Sequence, residues 1–335
     1  MKIGVLGAGT WGMALASLLV TNGHTVTVWS AIPEEIDELS ETGVHRNLPG
    51  IILPKSINYT KEIKHVADNC EMILVVVPSS FVRMTTEKIA PFLTDGQVLI
   101  TAAKGIESGS LLTMTEIIDE VLSRERPELK YRVAALSGPT HAEEVAAGIP
   151  TSIVSACEDE DISKRIAEVF ANSCMRVYTN TDVMGVEICG AMKNIIALAA
   201  GTITGMGLGD NTKAMLMTRG IAEITRLGTA MNCNPRTFMG LAGIGDLIVT
   251  CTSRHSRNNR CGELIGRGMS YEEASKEIGM VVEGYHALEA AMQLSKKYDV
   301  TLPITEAVYD VIKCGLTPRE AMHKLMTRDL KSELE

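Results

Sequence analysis

The segment from Ile3 to Trp29 constrains this chain more than any other. Ile3-Gly4-Val5-Leu6 is a short apolar run, Gly7-Ala8-Gly9-Thr10-Trp11-Gly12 follows it, and apolar residues recur at helical spacing from Met13 to Val20. Asn22-Gly23 breaks that helix, and Thr25-Val26-Thr27-Val28-Trp29 reads as a second strand. Strand, glycine turn, helix and strand in this order make the βαβ unit that cradles a dinucleotide pyrophosphate. Gly7 permits the tight turn, Gly9 lets the backbone approach the phosphates, and Gly12 lets the helix pack close on the strand. The phosphates then lie at the helix N-terminus, where unpaired N–H groups and the dipole favour negative charge.

No Asp, Glu, Lys or Arg occurs between Ile3 and Pro33, so a signal peptide or a membrane span has to be weighed against this reading. A span needs about 20 continuous apolar residues. Here Gly4, Gly7, Gly9 and Gly12 interrupt the run, and Thr21-Asn22-Gly23-His24 ends it. A signal peptide wants a compact apolar block with a small-residue cleavage site. Strands buried on both faces of a parallel sheet account for the pattern better.

A chain of 335 residues has room for two domains and a sizeable core. Its net charge of −9 argues against nucleic-acid partners and against anionic membrane surfaces. The 8 cysteines include no C-x-x-C pair and read as reduced core thiols, and the 7 histidines are scattered, so no metal site is expected. A cytoplasmic enzyme fits these features, with no membrane insertion.

An acidic helix is expected from about Glu34 to Thr42, then a Pro/Gly stretch from Leu48 to Pro54. Met72 to Val77 reads as a strand, Phe81 to Leu93 as a helix, Val98 to Ala102 as a strand, and Leu111 to Leu122 as an amphipathic helix. Arg132 to Leu136 is a further strand, and Thr151–Ser155, Ile162–Phe170 and Met175–Tyr178 close the series as strand, helix and strand. This alternation predicts an α/β fold, a Rossmann-type doubly wound, mostly parallel sheet, over residues 1–180. From residue 181 to 335 apolar residues recur at helical spacing in Val186–Ala200, Ala214–Leu227, Pro235–Leu241, Tyr271–Glu277, Tyr285–Lys297 and Ile304–Lys313. That half is expected to be an all-helical domain, which is compatible with a homodimer.

Ligands of open α/β sheets bind beyond the carboxyl ends of the strands. Pro78-Ser79-Ser80-Phe81, Lys104-Gly105 and Ser137-Gly138-Pro139-Thr140 therefore gather along one rim, with Lys104 delivered to the crevice by an apolar strand. In the helical half, Lys193 lies among Ile188, Met192, Ile196 and Ala197, and is either a snorkelling residue or a desolvated one. Desolvation and a neighbouring Lys104 would lower its pKa and suit it to proton transfer at an alcohol or carbonyl. Leu241-Ala242-Gly243-Ile244-Gly245-Asp246-Leu247 places one carboxylate in a glycine-rich turn. The stretch Thr252 to Arg260 holds Arg254, Arg257 and Arg260 among hydroxyls and amides, reading as a fork for one phosphate.

The motifs GAGTWG, AAKGIE, LSGPTHAEEV, GAMKN, GLAGIGDL, SRHSRNNR and VVEGY, in this order over about residues 2 to 325, resemble bacterial-type NAD(P)-dependent glycerol-3-phosphate dehydrogenase. The resemblance implies reversible reduction of dihydroxyacetone phosphate to sn-glycerol 3-phosphate, the head-group precursor of phospholipids. It implies Lys193 as proton donor and acceptor, and Thr10, Trp11 and Ala142 as contacts of the dinucleotide. Lys104 matches a position touching both cofactor and substrate. Gly138, Thr140, Asp246, Ser256, Arg257 and Asn258 match the pocket of a small phosphorylated three-carbon substrate, with Arg257 also near the cofactor. Val281 and Glu283 match a segment lying over the nicotinamide nucleotide.

One place departs from the pattern. Beyond the second strand an NAD enzyme often carries an acid for the ribose 2′-OH and an NADP enzyme a basic residue. Ser30-Ala31 stands there, with no acid before Glu34-Glu35, so NAD and NADP both remain open. The rivals are a 3-hydroxyacid dehydrogenase or ketopantoate reductase, which pair a helical lysine with an amide several residues on, and a dinucleotide sensor, which needs no buried lysine.

Overall fold

The computed structural model describes residues 1–68, 70–330 and 332–333; of the expected helical domain to 335, residues 331, 334 and 335 lie outside the described residues. Its eight-stranded sheet comprises β1 (Lys2–Leu6), β2 (Thr25–Trp29), β3 (Asn58–Thr60), β4 (Met72–Val75), β5 (Val98–Thr101), β6 (Arg132–Ser137), β7 (Thr151–Ala156) and β8 (Met175–Asn180). The order across the sheet is β3-β2-β1-β4-β5-β6-β7-β8. Every pairing is parallel except β6 with β7, which is antiparallel. Strand order reverses between β1 and β4, and a crevice opens there beyond the carboxyl ends of the strands.

Both faces of the sheet are covered, which is why its central strands read as continuous apolar runs. In β4, Met72 and Leu74 join the core under the Thr10–Thr21 and Glu160–Phe170 helices. Ile73 and Val75 join the opposite core, under Val82–Ile89 and Met114–Glu125. The helix expected over Phe81–Leu93 is broken: a 3₁₀ turn at Ser79–Phe81 precedes Val82–Ile89, and a second at Ala90–Phe92 follows. Pro91 has no N–H to continue the ladder. The helix expected from Leu111 starts at Met114 instead, because Thr113 and Glu116 form a capping box. Of the cysteines expected in the core, Cys314 is exposed and Cys174 only half-buried.

The helical half is built around Val183–Gly205, which is long and apolar enough to cross a membrane but has 89 % of its most apolar 18-residue stretch buried in the core. Asp210–Ala230, Arg257–Gly266, Glu283–Tyr298 and Pro303–Lys313 surround it. The Arg257–Gly266 helix makes the closest contact: a Cβ on Gly262 would stand 2.0 Å from the Leu198 carbonyl oxygen, and one on Gly201 1.9 Å from that of Asn259. Gly262→Ala is therefore expected to push the two helices apart and to destabilise the protein by roughly 3 kcal/mol, the upper range for overpacking. An unchanged midpoint in urea would show that the contact has room to relax.

Two segments depart from the expected structure. Leu241–Gly245 is one π-helical turn that runs straight into a helix, Asp246–Thr252, rather than a glycine turn. The expected basic loop ends at Ser256, where the Arg257–Gly266 helix begins.

Candidate active site

The glycine turn meets the requirements of a pyrophosphate cradle. Gly7 has φ +120°, and a Cβ on Gly12 would lie 2.0 Å from the Gly7 carbonyl oxygen, so the first helix can sit this close to the strand only without a side chain there. Gly9 caps that helix with no side-chain cap, and a Cβ there would project into open space. Thr10 Oγ1 is buried without a partner. The helix thus starts with free N–H groups beside an unpaired hydroxyl, which fits an anionic dinucleotide. Trp11 is half-buried against the adjoining core.

Beyond β5 and β6 the chain halves meet. Lys104 Nζ donates to Asp246 Oδ2 at 2.6 Å and to the Gly138 carbonyl oxygen at 3.2 Å. Thr140 folds back on that same carbonyl through Oγ1 at 3.2 Å, and Ala142 opens the short Ala142–Ala146 helix. From the central helix, Lys193 Nζ donates to Asp246 Oδ1 at 2.5 Å and to Thr250 Oγ1 at 2.7 Å. One carboxylate thus serves two ammonium groups. Lys193 is 6 % exposed and Asp246 1 %, which settles the choice between a snorkelling and a desolvated lysine.

Electrostatics follow from that burial. Desolvation lowers the Lys193 ammonium to about 8; Asp246 opposes the shift and Lys104 adds to it. Burial pushes Asp246 upward, but Lys104 and Lys193 together hold its carboxyl below the ordinary value. An ammonium has three N–H donors. Asp246 and Thr250 take two of those on Lys193, leaving one to meet a substrate oxygen.

The phosphate fork is narrower than the sequence suggested. Ser256 caps the Arg257–Gly266 helix, its Oγ accepting from Asn259 N at 3.2 Å. Arg257, in the first turn, is half-buried, whereas Arg254 and Arg260 are exposed. Asn258 is occupied: its Nδ2 donates to Asn194 Oδ1 at 2.9 Å and its Oδ1 accepts from Gly284 N at 2.9 Å. Its side chain braces three helices, and what it offers an anion is its backbone N–H in the first turn. Glu283 accepts from Ser79 N at 3.1 Å and Ser79 Oγ at 2.5 Å, drawing the Val281–Glu283 segment onto the rim beyond β4. Ser30 is buried and its Oγ donates to Glu35 Oε2 at 2.7 Å, while Ala31 is exposed.

Three residues were missed in the sequence. Thr250 is visible only once Asp246–Thr252 is known to be helical, which places it one turn from Asp246. Gly190 lets Lys104 cross the central helix, since a Cβ there would lie 3.3 Å from Lys104 Cγ; the signal was a glycine inside an apolar helix. Glu187 is buried and accepts from Thr113 Oγ1 at 2.7 Å and Thr115 N at 2.9 Å, tying the stretch after Lys104 to that helix. Burial raises its carboxyl to about 7.

A dinucleotide cradle on a doubly wound sheet, faced by a buried lysine from a helical half, defines an NAD(P)-dependent oxidoreductase. The family model for the N-terminus of NAD-dependent glycerol-3-phosphate dehydrogenase matches residues 2–163 and that for its C-terminus residues 182–323. The chain belongs to this family. It is 55 % identical over 333 residues to glycerol-3-phosphate dehydrogenase [NAD(P)+] 2 of Lactobacillus delbrueckii subsp. bulgaricus, covering 99 % of each chain. It is 46 % identical over 337 residues to the Bacillus subtilis enzyme, covering 100 % of this chain and 96 % of that one. The glycerol-3-phosphate dehydrogenase structure from Coxiella burnetii superposes with a TM-score of 0.92 at 35 % identity, over 98 % of this chain and 99 % of that one. A ketopantoate reductase from Ralstonia eutropha shares the fold alone, at 16 % identity and a TM-score of 0.63 over 96 % of this chain and all of that one.

Proposed function

We propose that the chain reversibly reduces dihydroxyacetone phosphate to sn-glycerol 3-phosphate in the cytoplasm, supplying glycerophospholipid synthesis. Residues 1–180 hold the dinucleotide, and residues 181–335 close the substrate site against them. The observation that carries the reading is Lys193, buried against a carboxylate it shares with Lys104, its ammonium drawn toward neutral pH by that burial. A dinucleotide held there would supply the hydride for reduction and accept it in oxidation.

Lys193 gives its free N–H proton to the carbonyl oxygen during reduction and takes the hydroxyl proton during oxidation. Asp246 and Thr250 fix the direction of that N–H, and Lys104 joins cofactor and substrate sides through Gly138 and Asp246. Thr140, Ser256, Arg257 and the N–H groups of the Asn258 turn hold the substrate phosphate, which a helix N-terminus and one arginine suit. Gly7, Gly9, Thr10, Trp11 and Gly12 hold the pyrophosphate side, and Ser30 and Ala31 the adenosine side. Ala142, Val281 and Glu283 would line the nicotinamide half, and Arg257 would reach both ligands.

The test is substrate-dependent loss of reduced-nicotinamide absorbance across pH 6 to 10, with dihydroxyacetone phosphate and with dihydroxyacetone. Reduction needs the ammonium form of Lys193, so its rate should fall as pH rises through about 8. Oxidation of glycerol 3-phosphate needs the neutral amine and should rise through the same point. Turnover should require the phosphate. Equal rates with the unphosphorylated ketone would remove the phosphate site from the mechanism.

A further inference from the structure

We propose that Glu35 makes this chain prefer NADH to NADPH, by standing at the position that reads the ribose 2′-oxygen. The inference rests on the dehydrogenase reading above and concerns the end of β2. There the sequence offers only Ser30-Ala31, and the nearest acids lie beyond Pro33. The structure closes that gap. Ser30 is buried, its Oγ accepts from Ile32 N at 3.1 Å and donates to Glu35 Oε2 at 2.7 Å. That bond ties a first-turn carboxylate of the Pro33–Thr42 helix to the end of β2, the strand beyond which such sheets place the acid that accepts from a 2′-OH.

The basic groups nearby are spoken for. Arg46 Nη2 lies 3.3 Å from Glu35 Oε1, a single contact between a side chain 63 % exposed and one 22 % exposed. His45 is buried, and its Nδ1 accepts from Asn47 N at 3.2 Å. Burial lowers its pKa, although Glu35 and a hydrogen bond to the Ala8 backbone pull upward, so the charged ring is disfavoured. It links this loop to the phosphate turn. Lys61 pairs with Asp37 at 2.6 Å, and Glu34, Glu38 and Glu41 add negative charge along the same helix. A 2′-phosphate would bring between one and two further negative charges against Glu35. A 2′-hydroxyl would instead donate a charge-assisted hydrogen bond to it.

Titration calorimetry of the full chain with NADH and with NADPH, beside ketone-reduction rates with each, tests this. The parent protein should bind NADH more tightly than NADPH by about tenfold or more. Glu35→Gln keeps the shape but removes the charge; it should weaken NADH and strengthen NADPH, since Arg46 is released toward the 2′-phosphate. Adding Arg46→Ala to that variant should cancel the gain with NADPH. Tighter binding of NADPH by the parent protein, or a ratio unmoved by Glu35→Gln, overturns the proposal while leaving the dehydrogenase reading intact. Binding of neither dinucleotide overturns that reading and the preference with it.

Discussion

Lys193→Ala should lower the rate of ketone reduction by roughly 100- to 10,000-fold, the contribution typical of a positioned acid or base. The geometry says why the loss falls on kcat rather than on folding. Asp246 retains Lys104 at 2.6 Å, so the buried carboxylate keeps a counter-ion when Lys193 is removed. Dinucleotide affinity, set at the Gly7–Gly12 turn on the other side of the crevice, should stay close to that of the parent protein. Lys193→Arg should be nearly as slow, because a guanidinium stays protonated throughout the accessible pH range and cannot cycle a proton. Steady-state rates with calorimetric binding separate the two effects. A Lys193→Ala variant that turns over at the parent rate would remove this residue from the chemistry.

The contrast between the two halves of the site shows what a sequence discloses. The cradle was legible because β1, the Gly7–Gly12 turn and the first helix are consecutive, and their signals are local: apolar strands covered on both faces, and glycines required by close approach. The same locality gave Val183–Gly205, Asp210–Ala230, Tyr271–Ile278, Glu283–Tyr298 and Pro303–Lys313, whose apolar residues face one core, but not Pro318–Met326. The short polar edge strand Asn58-Tyr59-Thr60 carried no such pattern and escaped notice. So did the Arg257–Gly266 helix, for a different reason. Its first turns bury Asn258, Asn259 and Gly262, the two amides held by hydrogen bonds to Asn194 and to the Cys251 carbonyl, and apolar burial is confined to Cys261 and Ile265 near its end. One apolar pair is too short a run for hydrophobic periodicity to report a helix whose first turns pack through amides and glycine. Reading this stretch as a loop turned one half-buried arginine into a three-arginine fork. Reading Leu241–Leu247 as a turn hid Thr250, because its relation to Asp246 exists only on a helix. Lys104, Lys193 and Asp246 could each be nominated from their surroundings, but their shared contact joins residues 142 and 53 positions apart. No local pattern encodes such a contact.

That contact predicts the second large effect, at Asp246. Its two oxygens are divided between two ammonium groups, Oδ1 to Lys193 and Oδ2 to Lys104, with 1 % of the residue exposed. Asp246→Ala leaves both lysines facing each other without an anion, and removing one partner of a buried pair costs roughly 3–5 kcal/mol. A loss of that size should appear as a lower urea midpoint and as little or no activity. Asp246→Asn is the more informative variant, because it keeps the volume and removes only the charge. Asp246 is the group that raises Lys193, whereas burial and Lys104 lower it. Without its charge, the lysine pKa must fall below about 8. Since reduction uses the ammonium form, the pH at which reduction is half lost should move down, and the onset of oxidation should move down with it. A structural brace alone would lower stability and leave both midpoints where they were. An unmoved or rising midpoint in Asp246→Asn therefore means that another group sets the proton affinity of Lys193. A falling one identifies the shared carboxylate as what keeps this buried lysine charged at neutral pH.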